Sequence, residues 1–222
     1  MVTVLKQPLA IPPLENGDRL SRSEFERRYQ AMVNIKKAEL IEGVTYMASP
    51  LRLRSHGEPH GLLTTWLGTY KAFTVGAILG IEPTVRLDRD NEPQPDAVLF
   101  IPGRQAVIDA DDYITGAPEL VVEVAASSVA IDLHDKKRAY RRCGVQEYIV
   151  WRTLDGELDW FVLEADDYVT LPTDEQGICR SRVFPGLWLA VAALLSGDLA
   201  TVLSVLQTGL STPEYREFVE HL

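Results

Sequence analysis

The stretch Pro118–Ser128, PELVVEVAASS, decides the fold. Leu120–Val124 is almost wholly apolar and mostly β-branched, the pattern of a strand buried on both faces. Such a strand needs cover on each side, so it belongs in the middle of a layered α/β sheet. One residue breaks the apolar run. Glu123 is a carboxylate where the pattern predicts burial, and an unpaired buried charge costs several kcal/mol. A structural ion pair with Lys136 or an arginine would account for it, and so would a raised pKa or a metal ion.

Downstream, Ile131–Cys143 reads as a helix, closed by Gly144. Glu147–Trp151 is the next strand. Strand, helix, strand in this order predicts a right-handed parallel crossover. Asp132, Lys136 and Tyr140 are spaced i, i+4, i+8 and share one face of the helix, whereas Lys137 is turned about 100° away. A surface Asp132–Lys136 pair is the structural alternative. Residues 158–171 (LDWFVLEADDYVTL) read as two strands around a polar turn, and Ile178–Phe184 as another strand. The last forty residues read as helical pieces broken at Ser196-Gly197 and Thr212-Pro213.

Upstream, EPQPDAVLFI sets Asp96 at the head of a strand, Ala97–Ile101, directly after Pro95, which cannot donate to a ladder. Thr84–Leu87 is a further short strand, and Asp109–Gly116 an acidic loop. Pro59 suits the first turn of a helix through GLLTTWLGTYKAF. AELIEGVTYM (38–47) is a hairpin around Glu42-Gly43. Ser21 with Glu24, or Ser23 with Glu26, offers a capping box for a helix. Residues 1–20 are Pro-rich and read as an arm.

The whole chain has 222 residues, 46% hydrophobic and 24% charged, which favours a folded protein over a disordered one. Its net charge of −10 excludes a global basic footprint for nucleic acid. Residues 82–123 carry ten acids against three arginines. The counterweight is HDKKRAYRR (134–142), where Lys137, Arg138, Arg141 and Arg142 are candidates for phosphate contacts. Arg52, Arg54, His56 and His60 make a smaller positive loop. Cys143 and Cys179 form no ligand spacing or disulfide framework. MVTVLKQPLAIPP does not read as a signal peptide, and the longest apolar run, Leu187–Leu195, is about half of the ~20 residues that span a bilayer. These features predict a reduced, cytoplasmic protein that avoids membranes.

An Asp and a buried Glu near a Lys make a hard-metal constellation. Carboxylates suit Mg²⁺ or Mn²⁺, and a nearby ammonium that orients water and stabilises anionic charge suits phosphodiester hydrolysis. No P-loop, GxSxG or GxGxxG motif competes with it.

The order ELIEG, SP with a following His, QPDA, PELVVEVAASS and DLHDKKRAYRRCGVQEYIVW resembles the Uma family of restriction-endonuclease-like proteins, within the PD-(D/E)XK nuclease superfamily. The resemblance covers roughly residues 20–190. It implies a restriction-endonuclease-like α/β core, a mixed β-sheet flanked by helices, with extra N-terminal and C-terminal helices. It also implies one domain over 1–222 with a helical extension from about 190. Pro95-Asp96 matches the PD, and Glu123 the (D/E). The superfamily's usual Lys falls at Ala125, and the family's D-x-x-x-K-x-x-x-Y pattern maps instead onto Asp132, Lys136 and Tyr140. Glu39 matches an acidic position near the site. His60 matches a recurrent His, with His56 as the alternative register, and Gln94 opens QPDA. The implied roles are Asp96, Glu123 and Lys136 in catalysis, with Asp96, Glu123 and the Val124 carbonyl holding the metal. The implied partner is nucleic acid, DNA first, and a homodimer would supply two sites for two strands. The other class of function is a non-catalytic scaffold that keeps the nuclease fold.

Overall fold

Leu120–Ala125 is the strand (β8 below) on which the architecture turns: all six residues are buried. The computed structural model describes residues 11–222. The first half of the arm expected over 1–20, and most of the N-terminal stretch tested for a signal peptide, lie outside the described residues.

In chain order the elements are α1 (Arg22–Gln30), β1 (Ala38–Ile41), β2 (Val44–Met47), α2 (Glu58–Phe73), β3 (Ile78–Ile81), β4 (Val85–Arg86), β5 (Ala97–Phe100), β6 (Ala106–Ile108) and β7 (Ile114–Gly116). There follow β8 (Leu120–Ala125), α3 (Lys137–Cys143), β9 (Glu147–Arg152), β10 (Glu157–Glu164), β11 (Asp167–Thr170), β12 (Ile178–Arg180), β13 (Trp188–Ala190), α4 (Val191–Leu195), α5 (Leu199–Leu210) and α6 (Pro213–Glu220). Two π-helical turns, Leu53–Gly57 and Ile131–Lys136, lead into α2 and α3. The main sheet has six strands in the order β11-β10-β9-β8-β5-β3. Only β8 and β9 run parallel, joined by the crossover through α3, and the other neighbours are antiparallel.

Strand alternation sends the two sides of this sheet into two cores. Leu120, Val122 and Val124 face one side with Leu99, Ile149 and Trp160, where Leu63, Trp66, Leu67 and Tyr70 of α2 and Val202 and Leu206 of α5 cover them. Val121 and Ala125 face the other with Val98, Phe100, Tyr148 and Phe161, under Tyr140 of α3 and the small sheet β4-β7-β6. Glu123 shares the parity of Val121 and Ala125 and so points toward the α3 side. The result is the mixed sheet flanked by helices that the sequence implied.

Several sequence expectations need correction. The Ile131–Cys143 helix is α-helical only from Lys137; before that, the Lys137 N–H reaches back five residues to the Asp132 carbonyl, which the Tyr148 hydroxyl also bonds at 3.0 Å. No capping box forms at α1. Ser21 Oγ meets Ser23 Oγ instead, and the Glu24 carboxylate is taken by Arg27 and Arg28. The acidic loop 109–116 contains β7, because the Asp109 carboxylate gathers the N–H groups of Asp111 and Tyr113 and closes a hairpin with β6. The half-exposed β3, with Gly80 inside it, and β13, within the region read as helical, carry patterns too short to register as strands.

Candidate active site

Asp96 stands at the head of β5, and the register Ala97↔Val122 of the β5–β8 pair brings it opposite Glu123. Its own groups fix it there. Oδ2 accepts the Val124 N–H at 2.6 Å, and Oδ1 lies 3.1 Å from His56 Nε2. The Asp96 carbonyl lies 3.0 Å from His60 Nε2 and also accepts the Glu82 N–H. Burial acts to raise the Asp96 carboxyl, but the His56 and Val124 hydrogen bonds overcome it and hold the group below its ordinary range.

Glu123 is 3% exposed and sits within a second set of contacts. Its Oε1 accepts from Lys136 Nζ at 2.9 Å and from the Tyr140 hydroxyl at 2.9 Å. Lys136 Nζ is also 2.9 Å from Glu39 Oε1 and 3.6 Å from Asp132 Oδ1. The Asp132–Lys136 pair is therefore no surface pair: both residues are buried. Asp132 accepts from Ser128 Oγ at 2.5 Å through its other oxygen. Glu39 reaches the site because its β-hairpin is anchored beside it. Tyr46, its cross-strand partner, donates to Asp135, and Glu39 itself accepts the Gln94 N–H at 2.7 Å. The Gln94 amide donates away from the acids, to Thr84 and Tyr29, so Gln94 braces the QPDA loop.

Three carboxylates (Glu39, Glu123 and Asp132) thus share one buried ammonium, and a fourth, Asp96, stands opposite Glu123. Burial pushes the Glu123 carboxyl up, to about 8, against the pull of Lys136, and Asp132, Asp96 and Glu39 push the same way. Burial raises Asp132 as well. Burial works against the Lys136 charge, but the surrounding carboxylates win and hold it firmly protonated. Such an excess of buried negative charge suits a divalent cation.

The donor set fits one. His56, His60 and Asp96 each offer a ligand atom, all within 4.8 Å of one another. His56 Nδ1 is buried with no hydrogen-bond partner, and so is Asp132 Oδ1. Both imidazoles contact Asp96, so both registers of the recurrent His lie beside the same acid. Their i, i+4 spacing was the available signal, since it puts two imidazoles on one helical face.

The basic segment looks different from its sequence. Lys137 Nζ sits 3.4 Å from the centre of the Phe161 ring. Arg138 pairs with Asp135 at 2.6 Å, and Arg141 donates to the Asp166 carbonyl at 2.6 Å. Arg142 bridges Glu42 at 2.7 Å and Asp88 at 3.0 Å. All four side chains have partners within the chain: Arg138 within its own helical segment, Lys137, Arg141 and Arg142 with groups brought from elsewhere.

Among the described residues no helix is long and apolar enough to cross a membrane. No curated protein matches the chain. A crystal structure titled as a putative nuclease belonging to DUF820, from Anabaena variabilis, shares the fold at a TM-score of 0.58 and 15% identity, over 80% of this chain and 98% of that one. A family model described as a putative restriction endonuclease matches residues 22–192, which span β8, both π turns and every acid of the site. Family and geometry agree on a nuclease-like site able to take a divalent metal, and the chain belongs to the Uma2 family of putative restriction endonucleases.

Proposed function

We propose that the protein is a metal-dependent endonuclease that hydrolyses phosphodiester bonds in DNA. The observation that carries this reading is the cluster of three carboxylates around one ammonium, with Asp96 and its two imidazoles beside it. Asp96 is the residue common to both ligand sets: His56 and His60 on one side, Glu123 and the Val124 carbonyl on the other. An ion held there would supply Lewis-acid polarisation of a phosphoryl oxygen. Lys136 supplies a fixed positive charge for the developing anion, and Tyr140 and Glu39 hold Glu123 and Lys136 in place. Imidazole donors favour transition ions and carboxylates favour hard ones, so the mixed set favours Mn²⁺ over Mg²⁺.

The test is the thermal midpoint with and without Mn²⁺ or Mg²⁺. An ion at a hundred times its Kd adds about 2.7 kcal/mol, or roughly 5–10 °C for a chain of this size. Asp96→Asn should lose most of that shift. An equal shift in the variant would move the ion elsewhere. A second reading, a scaffold that keeps the fold without cleavage, is favoured by one observation: the arginines of α3 are spent on internal partners. A scaffold of that kind has no need of the ion, and absence of any metal-induced shift would support it.

A further inference from the structure

The arginines of α3 stand at the surface, each beside an acid or a carbonyl that offsets its charge, so cations without such a partner are the stronger candidates to hold a substrate at Asp96. Two lie on the elements that carry the site acids and their partners. Lys37 immediately precedes β1, and strand alternation puts it on the same face as Glu39. Glu39 accepts the N–H of Gln94, two residues before Asp96, so Lys37 lies on the element that borders the Asp96 loop. Arg52 opens the π turn that delivers His56: its carbonyl accepts the His56 and Gly57 N–H groups, and its side chain is exposed. Neither Lys37 nor Arg52 makes an ion pair with any described residue. Two further cations flank them. Lys36 is exposed and without an ion pair, and Arg54 has only an exposed pair with Glu58, the kind worth little in water. The same loop leaves Leu51 and Leu53 61% and 72% exposed, alternating with its arginines, in contrast to the buried leucines of the elements around it.

We propose that the phosphodiester backbone of the substrate is held by Lys37 and the Arg52–Arg54 loop, on the two elements that bring Glu39 and His56 to the site, rather than by the basic face of α3. This rests on the nuclease reading above, but names a different set of residues from the one the sequence pointed to. Phosphates between the two cation groups would pass over Asp96, where the acids repel them unless an ion is present. Substrate binding is therefore metal-dependent as well as salt-dependent.

The test is fluorescence anisotropy of the full chain with Mn²⁺ present, read on ice within the first minutes, with a gel to confirm that the probe stays intact. Labelled duplex DNA is one probe and single-stranded RNA of equal length the other. The double variant Lys37→Ala/Arg52→Ala should weaken binding at least tenfold and flatten the dependence of log affinity on log salt by about two phosphate contacts. Arg141→Ala/Arg142→Ala should change neither by more than about twofold. Unchanged thermal midpoints are expected of the first pair, whose side chains make no hydrogen bonds with any described residue. The reverse pattern would overturn the assignment while leaving the nuclease reading intact. Absence of binding to either probe with metal present would overturn both. Binding of RNA alone, lost in the first pair, would keep the contact set and replace DNA as its source of phosphate.

Discussion

Lys136→Met removes the one cation from the acid cluster while keeping much of the side chain's volume. In the native chain Nζ lies 2.9 Å from both Glu39 and Glu123 and 3.6 Å from Asp132. Losing one partner of a buried ion pair costs about 3–5 kcal/mol, because the remaining charge stays buried and uncompensated. Here three carboxylates lose the same partner, so the upper end of that range applies near pH 8. The deficit depends on pH. Glu123 already titrates at about 8 because burial disfavours its charge, and Asp132 is raised for the same reason. These are raised acids, so the folded state holds protons that the unfolded chain, titrating near 4.3, has released. At about pH 5.5 Glu123 is largely neutral and loses less with the ammonium, so the deficit should shrink. Urea unfolding followed by circular dichroism, at both pH values and in EDTA, measures it. Lys137→Met is the control: its ammonium lies over Phe161, an interaction worth about 0.5–2 kcal/mol whose loss should not vary over this range. Equal deficits for the two lysines, or a Lys136→Met deficit that does not change with pH, would refute the reasoning.

Three further outcomes follow from the packing. Glu123→Gln should cost less than about 2 kcal/mol without metal, since Lys136 keeps Glu39 and Asp132 while like-charge repulsion falls; a loss above about 3 kcal/mol in urea unfolding would make Glu123 chiefly a structural partner. Glu92, buried beside Glu26, is pushed up to about 8, first by burial and then by that neighbour. The folded state therefore holds its proton between the ordinary carboxyl range and pH 8, and its contribution to stability declines as pH rises through that window. Glu92→Gln should raise the thermal midpoint more at pH 8 than at pH 5, and a flat or opposite trend would contradict the assignment. At Gly209, inside α5, a Cβ would run into the Gly186 carbonyl oxygen and stand 2.9 Å from the Trp188 ring. Gly209→Ala should lose about 1–3 kcal/mol as overpacking, whereas no loss in urea unfolding would mean that α5 shifts freely.

Which parts of this could be read from the chain follows from how local each signal is. Leu120–Val124 announced itself because five consecutive residues share one environment, and Glu123 stood out against that background. Lys136 and Lys137 could be told apart by helical period alone, and the structure sends them to different partners, one to the acids and one to Phe161. Strands of three residues, such as β6, β7 and β13, have no period to detect and exist through their pairing. The engagement of Arg142 was equally unreadable, because Glu42 and Asp88 lie far away in sequence and meet it only when the β1–β2 hairpin and the β4–β5 loop fold against α3. Net charge along a helix says nothing of partners that tertiary structure supplies. His56 is the intermediate case. Its spacing from His60 was visible, but its contact with Asp96 depends on the π turn that carries it.

The measurement that bears most directly on the account is single-turnover cleavage of DNA at fixed salt, with Mn²⁺, Mg²⁺ and EDTA as separate arms, for the native chain and for Asp96→Asn. Single turnover separates the chemical step from binding and product release. The account predicts cleavage with Mn²⁺, slower cleavage with Mg²⁺, none in EDTA, and loss of at least a hundredfold in Asp96→Asn. Undiminished cleavage by Asp96→Asn, or none by the native chain on DNA while Mn²⁺ still raises its thermal midpoint, would contradict it.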